Sequence, residues 1–290
     1  MGTLVEQPGY PKLQLAHVSK QFNVPRSGEQ VRAVTDFTLD VYPGEFLSIV
    51  GPSGCGKSTV LNMLAGLDEP TSGQITMDGQ QVDGPSAERG MVFQNYALFP
   101  WRTAWENIEF GPRYGPRARK LSTQERRAQV QRYLDLVGLT GSEHKYPHEL
   151  SGGMQQRCAL ARLLANEPEV LLMDEPLGAV DAQTRVILQE ELLRIWGQES
   201  AVHDRRTVVF ITHDIDEAIF LSDRVAVMSS RPGRLKQVLD IALPRPRVDA
   251  VRAMDEFYRL SREIWQLIRE DAYRASISQG TEPMVAPVHS

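Results

Sequence analysis

The stretch that decides the fold of this chain is Gly51-Pro52-Ser53-Gly54-Cys55-Gly56-Lys57-Ser58-Thr59, with the spacing G-x-x-x-x-G-K-[ST]. Residues 45–50 before it have the apolar density of a buried strand, and residues 60–65 after it continue as a helix that stops at Gly66. A strand, a glycine-rich loop and a helix hold nucleotide phosphates, because backbone N–H groups and the helix N-terminus point at the anion. The stretch therefore predicts a phosphate loop, with Lys57 on the β- and γ-phosphates and the Ser58 hydroxyl on Mg²⁺. The alternative is a glycine-rich turn with one exposed lysine, and the flanking strand and helix argue against it.

The composition bounds the class of protein. The 290 residues suffice for one large domain or two modest ones, and 41% of them are hydrophobic, enough for a full core. The net charge of −5 argues against a general nucleic-acid binder, which usually carries a basic excess. No apolar run approaches the roughly 20 residues of a membrane span, and we expect no signal peptide.

Two cysteines, Cys55 and Cys158, indicate a reducing compartment and no disulfide framework. Cys55 lies inside the phosphate loop, where we expect its small side chain to fill a tight turn. A further hypothesis is that alkylation of Cys55 blocks nucleotide binding.

The order of predicted strands and helices gives the fold class. Strand patterns and helix patterns alternate on both sides of the phosphate loop, which is typical of an α/β fold with a mainly parallel sheet. The first strand pattern covers 13–18. Residues 103–166 are mostly helical, with a capping box at Ser122 and Glu125, and form an inserted helical subdomain. We expect an N-terminal antiparallel β region beside the parallel core.

We divide the chain into five regions by composition and pattern. They are a disordered leader at 1–12, the main domain at 13–242, its helical subdomain at about 103–166, a C-terminal helical extension at 243–275 and a disordered tail at 276–290.

Two carboxylates follow a second buried strand. Residues 170–173 are apolar, and Asp174-Glu175 come next, at the strand end where ligands bind in open parallel sheets. Asp174 is placed to hold Mg²⁺ directly or through water. Glu175 suits a general base that polarises the attacking water. The alternative is a helix cap, which the preceding phosphate loop makes less favourable.

Gln94 and His213 each end an apolar strand, so each can face the γ-phosphate. Alone, such a histidine is more often a structural hydrogen bonder and such a glutamine a turn residue, so both predictions depend on the two motifs above. We expect Asp214 and Glu217 to cap the short helix that follows His213.

A second helix start offers another phosphate contact, at Leu150-Ser151-Gly152-Gly153-Met154-Gln155-Gln156-Arg157. It has two glycines and a hydroxyl at a helix N-terminus, which suits an anion. The chain has one phosphate loop, and this helix start lies across a separate subdomain. The economical interpretation is that it meets the phosphate held by a second copy.

With these motifs the sequence closely resembles the nucleotide-binding subunits of ATP-binding cassette (ABC) transporters over about residues 13–240. Residues 51–59 resemble the Walker A loop of that family, 170–175 its Walker B strand and 150–155 its signature. Three further positions resemble the Q-loop glutamine (Gln94), the switch histidine (His213) and the aromatic that stacks on adenine (Phe22). Residues 177–181 resemble the D-loop, with Val180 where leucine is commoner.

The resemblance implies a P-loop ATPase of the ABC type that works as a head-to-tail homodimer around two ATP molecules with Mg²⁺. Each ATP would be gripped by Lys57 on one side and by Ser151 and Gly153 of the partner subunit on the other. The implied nucleotide-binding residues are Phe22, Gly51, Pro52, Ser53, Gly54, Cys55, Gly56, Lys57, Ser58, Thr59, Gln94, Ser151, Gly153, Gln155 and Asp181. The implied metal ligands are Ser58, Gln94 and Asp174, and the catalytic residues are Glu175 and His213.

The resemblance also implies partners. A separate integral-membrane permease would be driven from the cytoplasmic face of the inner membrane, with a solute-binding protein engaged indirectly and no nucleic acid bound. Gln94 would connect the γ-phosphate to the permease contact surface, for which the aromatic stretch 96–105 is our candidate. The alternative is that this stretch packs in the core of the helical subdomain.

Finer resemblance points to the nitrate, sulfonate and taurine import branch of bacterial importers. The segments are 93–101, 173–181, 212–218 and 230–234, of which Pro100-Trp101 and the Arg-Pro-Gly-Arg turn weigh most. The resemblance implies that the cargo does not touch this subunit, so its residues cannot encode the chemistry of the cargo. From the branch resemblance, taurine or another alkanesulfonate is the leading cargo, nitrate follows and other small solutes remain open. A different class is the soluble mechanical ATPase of DNA repair or translation. Lys57 and Ser151 lie too close in sequence for a repair-type coiled coil, and translation-type relatives usually have two cassettes.

Overall fold

The computed structural model describes residues 9–23, 30–93, 96–115, 120–178, 180–198, 200–201 and 204–278, with side chains described as far as residue 269. Its strands are β1 (Leu13–Asn23), β2 (Gln30–Val41), β3 (Phe46–Val50), β4 (Ser72–Met77), β5 (Gln80–Gln81), β6 (Arg89–Val92), β7 (Val170–Asp174), β8 (Thr207–Ile211), β9 (Arg224–Met228) and β10 (Leu235–Asp240). Its helices are α1 (Lys57–Ala65), α2 (Ala104–Tyr114), α3 (Thr123–Leu136), α4 (Gly152–Ala165), α5 (Ala182–Trp196), α6 (Ile215–Leu221) and α7 (Asp255–Ser278), with 3-10 turns at Pro147–Glu149 and Asp249–Ala253.

The strands form two sheets. The larger has the order β10-β9-β3-β8-β7-β6, and all of its neighbours are parallel except β10 and β9. The smaller has the order β2-β1-β4-β5 and is antiparallel. The predicted α/β class, with a mainly parallel core and an N-terminal antiparallel region, is confirmed.

The larger sheet separates two parts of the core. Strands β3, β7 and β8 are buried along their whole length, as is typical of central parallel strands covered on both faces. Alternate residues serve opposite faces. Phe46 and Val50 pack with α2 to α7, whereas Leu47 and Ile49 pack with α1 and the antiparallel sheet. The strand ends are therefore held rigidly between two packed layers.

The helical subdomain contains α2, α3 and α4. The predicted capping box of Ser122 and Glu125 is confirmed at the start of α3, and a second one, of Thr103 and Glu106, starts α2. Among the described residues, no helix is both long and apolar enough to cross a membrane.

The structure corrects three expectations at element ends. β1 continues to Asn23 instead of ending near 18, so Phe22 lies within the strand, opposite Val31. Lys12, assigned to the disordered leader, has a largely buried side chain that pairs with Asp78 and Glu169 at 2.6 and 2.7 Å. Helix α7 continues to Ser278 and so includes the first residues of the predicted tail. The rest of that tail lies outside the described residues.

Candidate functional site

The phosphate loop, residues 51–56, joins the C-terminal end of β3 to the first turn of α1. Gly56 has φ 104°, a left-handed conformation that favours glycine. No side chain among the described residues caps α1. Its first N–H groups are therefore free of a side-chain partner at the mouth of the loop, as an anion site requires.

Lys57 is the first residue of α1, and its side chain reaches back to the loop. Its side chain is buried, and its ammonium donates hydrogen bonds to the carbonyl oxygens of Gly51 (2.8 Å) and Pro52 (3.1 Å). A buried cation held by neutral carbonyls is electrostatically suited to phosphate oxygens. The loop therefore fits the phosphate groups of a nucleotide.

Asp174 ends β7 and faces the start of α1. The residue is 6% exposed, and burial raises the pKa of its carboxyl, while a hydrogen bond from Ser58 and the charge of Lys57 act in the opposite direction. Ser58 and Asp174 thus place a hydroxyl and a carboxylate side by side. Such hard oxygen donors are those that Mg²⁺ prefers, so this pair fits the metal.

Glu175 has φ 47°, in the left-handed region where non-glycine residues are uncommon. Its backbone N–H donates to Ile211 O at 3.0 Å, and its carbonyl accepts from the buried Gln156 side chain at 3.3 Å. These contacts fix the sharp turn that follows Asp174. The charge of the neighbouring Glu175 side chain also contributes to raising the pKa of Asp174.

His213 faces Glu175. Its Nδ1 lies 3.2 Å from Glu175 Oε2, and the imidazole is more exposed than the carboxylate. A small cavity of about 10 Å³ lies beside the pair and is also lined by Arg185 and Thr212. Because β3, β8 and β7 are neighbouring parallel strands, the phosphate loop, His213 and the two carboxylates meet at one edge of the sheet.

The start of α4 is open to solvent. Ser151 caps the helix, and its Oγ accepts from Met154 N at 3.3 Å. A Cβ at Gly152 would meet no atom within 4 Å. Among the described residues, no hydrogen bond or ion pair joins Ser151 to the phosphate loop of its own copy.

Gln155 lies in the first turn of α4, and its contact with nucleotide stays a prediction. Its side-chain nitrogen donates to Pro147 O (2.9 Å) and Leu150 O (3.2 Å), so it braces the turn that precedes α4. Asp181 likewise caps α5 by accepting from Thr184 N at 3.0 Å, and this hydrogen bond lowers the pKa of its carboxyl.

The remaining predicted residues of the site are Phe22, Cys55 and Gln94. Phe22 is 39% exposed, and Lys20 Nζ lies 5.0 Å from its ring centroid, so the ring is partly open to solvent. Cys55 is 1% exposed, and burial raises the pKa of its thiol. This supports the small-filler interpretation over a reactive thiol. Gln94 lies outside the described residues.

The Arg-Pro-Gly-Arg turn, residues 231–234, braces the phosphate loop, which the sequence did not predict. Arg231 Nε donates to Gly54 O at 3.1 Å, and a Cβ at Gly233 would lie 2.0 Å from Cys55 O. The Arg-Pro-Gly-Arg turn was interpreted as a feature of a branch of the family, not as a neighbour of the loop. The Pro-Gly pair signalled a turn, but no local pattern reveals a contact so distant in sequence.

The aromatic stretch 96–105 divides between core and surface. Tyr96 and Trp105 pack against the core, whereas Trp101 is 70% exposed. A cluster of exposed and half-buried side chains, which we call the aromatic–arginine patch, continues beyond the stretch. Its members are Phe99, Trp101, Arg102, Phe110 and Tyr114.

Comparisons with known proteins identify similar chains. The sequence model for "ABC transporter" matches residues 34–178. The chain is 45% identical to the taurine import ATP-binding protein TauB of Jannaschia sp., over 88% of this chain and 93% of that one. It is 50% identical to the nitrate import ATP-binding protein NrtD of Synechococcus elongatus, over 79% and 81%. The dimeric ATP-binding cassette MJ0796 bound to ADP and Pi matches with a TM-score of 0.70 and 33% identity, over 79% and 98%.

Proposed function

This chain belongs to the ABC transporter family, and we propose that it is the ATP-hydrolysing subunit of an importer for a small anion. Relatives at 45% and 50% identity are named for taurine and nitrate import, which supports these two cargoes. We keep taurine or another alkanesulfonate as the leading cargo and nitrate as the second, in the order that the finer sequence resemblance suggests. The observation that carries the ATPase role is that the phosphate loop, Asp174, Glu175 and His213 converge on one sheet edge.

In this proposal the first turn of α1 and Lys57 bind the phosphates of ATP. Ser58 and Asp174 hold Mg²⁺, with Gln94 as a further ligand implied by the family resemblance. Bound Mg²⁺ supplies charge neutralisation on the β- and γ-phosphate oxygens. Phe22 offers its partly exposed ring to the adenine.

Glu175 is the proposed general base. Its carboxylate lies at the sheet edge with one oxygen 3.2 Å from His213, so it is positioned to accept a proton from an attacking water. His213 orients that carboxylate and, being half in solvent, is free to reach the γ-phosphate. Hydrolysis gives ADP and phosphate.

The functional unit is a dimer of cassettes. The start of α4 exposes Ser151 and Gly152, and among the described residues it makes no hydrogen bond to the phosphate loop of its own copy. We place this helix start against the γ-phosphate bound by the partner copy. One ATP then joins two subunits, and hydrolysis separates them.

The subunit works with a membrane permease. We assign the permease contact to the aromatic–arginine patch, because exposed aromatic and arginine side chains are enriched at interfaces. We place the complex at the cytoplasmic face of the membrane, with a solute-binding protein delivering the cargo to the permease.

The test is co-purification of the chain with its native permease and binding protein. The binding protein is then screened by thermal shift with taurine, alkanesulfonates, nitrate and unrelated solutes. A shift specific to sulfonates supports the leading cargo, and a shift only with nitrate replaces it. Absence of a permease from the purified complex would overturn the importer role and favour a soluble mechanical ATPase.

A further inference from the structure

A buried polar chain lies behind the strand end that carries His213. Glu217, on α6, is 5% exposed, and its carboxylate accepts hydrogen bonds from Thr212 Oγ1 (2.5 Å) and Gln189 Nε2 (3.0 Å). Burial of a carboxylate is costly unless its oxygens are bonded. Both oxygens of Glu217 are bonded here, one to β8's end and one to α5.

The buried polar chain continues from Gln189 into the C-terminal segment. Arg252, in the 3-10 turn Asp249–Ala253, donates from Nη2 to Gln189 Oε1 at 2.6 Å. Its guanidinium lies 4.1 Å from the Phe220 ring centroid and pairs with Asp249 at 3.2 Å. Because the amide of Gln189 accepts from Arg252 and donates to Glu217, its orientation is fixed from both sides.

At its other end the polar chain holds the residues on both sides of His213. Thr212 Oγ1 donates to Glu217 and also accepts from Asp214 N at 3.0 Å. Asp214 Oδ1 accepts from Glu217 N at 3.1 Å and so caps α6. The backbone of His213 is thus pinned by its two neighbours, while its imidazole stays exposed toward Glu175.

We propose that Arg252, Gln189 and Glu217 are positioning residues that hold His213 against Glu175. The C-terminal segment thereby sets the rate of ATP hydrolysis from outside the ATP site. Apolar side chains would fill the same space between α5, α6 and the 3-10 turn, so packing alone does not require this polar chain. The inference rests on the catalytic role proposed above for His213.

The test variant is Arg252→Met in the full chain. Methionine keeps an apolar stem against Phe220 but removes the donor to Gln189. The kcat for ATP hydrolysis is expected to fall about three- to tenfold, the loss of one net hydrogen bond, with KM for ATP unchanged. Arg252→Lys, which retains a donor and the charge, is expected to recover much of that loss. Arg259→Met is the matched control, because Arg259 is exposed and pairs with Glu256 and Glu263 on its own helix.

A double-mutant cycle with His213→Ala separates positioning from general damage. If Arg252 acts through His213, then Arg252→Met has no further effect on kcat in the His213→Ala background. An equal loss of kcat in both backgrounds would overturn the proposal. It would also be overturned if Arg252→Met kept the wild-type kcat while His213→Ala lost activity. Full activity of His213→Ala would instead refute the proposed catalytic role of His213 itself, and this inference with it. Thermal unfolding of each variant identifies any loss of kcat that comes from instability. If Arg252→Met is unstable, the kcat of Arg252→Lys decides whether Arg252 positions His213.

Discussion

Substitution of Gly233 by alanine tests whether the Arg-Pro-Gly-Arg turn braces the phosphate loop. The new Cβ would lie 2.0 Å from Cys55 O, so the turn and the loop must separate by about 1 Å to reach even 3.0 Å. The turn resists, because Gly233 N donates to Ala33 O and Gly233 O accepts from Thr35 N, both at 2.9 Å. The loop must therefore give way, and the loss of one of its hydrogen bonds to a charged phosphate costs about 1.5–3 kcal/mol, on the order of 10- to 100-fold in ATP affinity.

The assay is ATP affinity by isothermal titration, with thermal unfolding recorded with and without ATP. Gly233→Ala is expected to weaken ATP binding on the order of 10- to 100-fold and to lose most of the ATP-induced rise in Tm. Gly84→Ala is the control, because a Cβ there meets nothing within 4 Å. An unchanged ATP affinity in a folded Gly233→Ala protein would refute the brace.

Two further outcomes follow from buried groups. Cys55 is expected to react with iodoacetamide far more slowly than a free thiol, because burial shields it and raises its pKa; rapid labelling followed by mass spectrometry would contradict this. Burial raises the pKa of Glu45 to about 7 from 4.5, against the opposing charge of Arg224. The folded state therefore holds this proton more tightly than the unfolded chain, and stability is lost as pH rises through about 4.5 to 7, by about 3 kcal/mol. The free energy of unfolding, measured in urea at pH 5 and 8, is expected not to show this decrease in Glu45→Gln. An unaltered pH dependence in that variant would contradict the raised pKa of Glu45.

The sequence predicted those features that local pattern determines. The apolar runs at 170–173 and 207–211 identified central strands, since such strands are buried on both faces. Ser122 and Glu125 identified a helix start. The placement of Glu175 and His213 at the same edge of the sheet also followed from sequence, because parallel strands end there together, but their 3.2 Å contact did not.

Features that depend on distant partners were not predictable in the same way. Gln155 is in the signature motif, yet its amide bonds to carbonyls of the preceding turn, which no spacing rule indicates. The contact of Gly233 with Cys55 and the bond from Arg252 to Gln189 join elements far apart in sequence. The segments that carry these residues have the sequence patterns of ordinary turns and helices, so only the tertiary structure reveals the contacts.

The central claim is that two copies close around ATP, each offering Ser151 to the other's phosphate. It is tested most directly by the solution mass of Glu175→Gln with Mg²⁺-ATP, measured by light scattering after size exclusion. Loss of the general base should trap the bound state, so the mass is expected to double with ATP and to stay monomeric with ADP. In the Glu175→Gln, Ser151→Arg double variant the dimer should not form although ATP still binds. A monomer with ATP in the first variant, or an undiminished dimer in the second, would contradict the account.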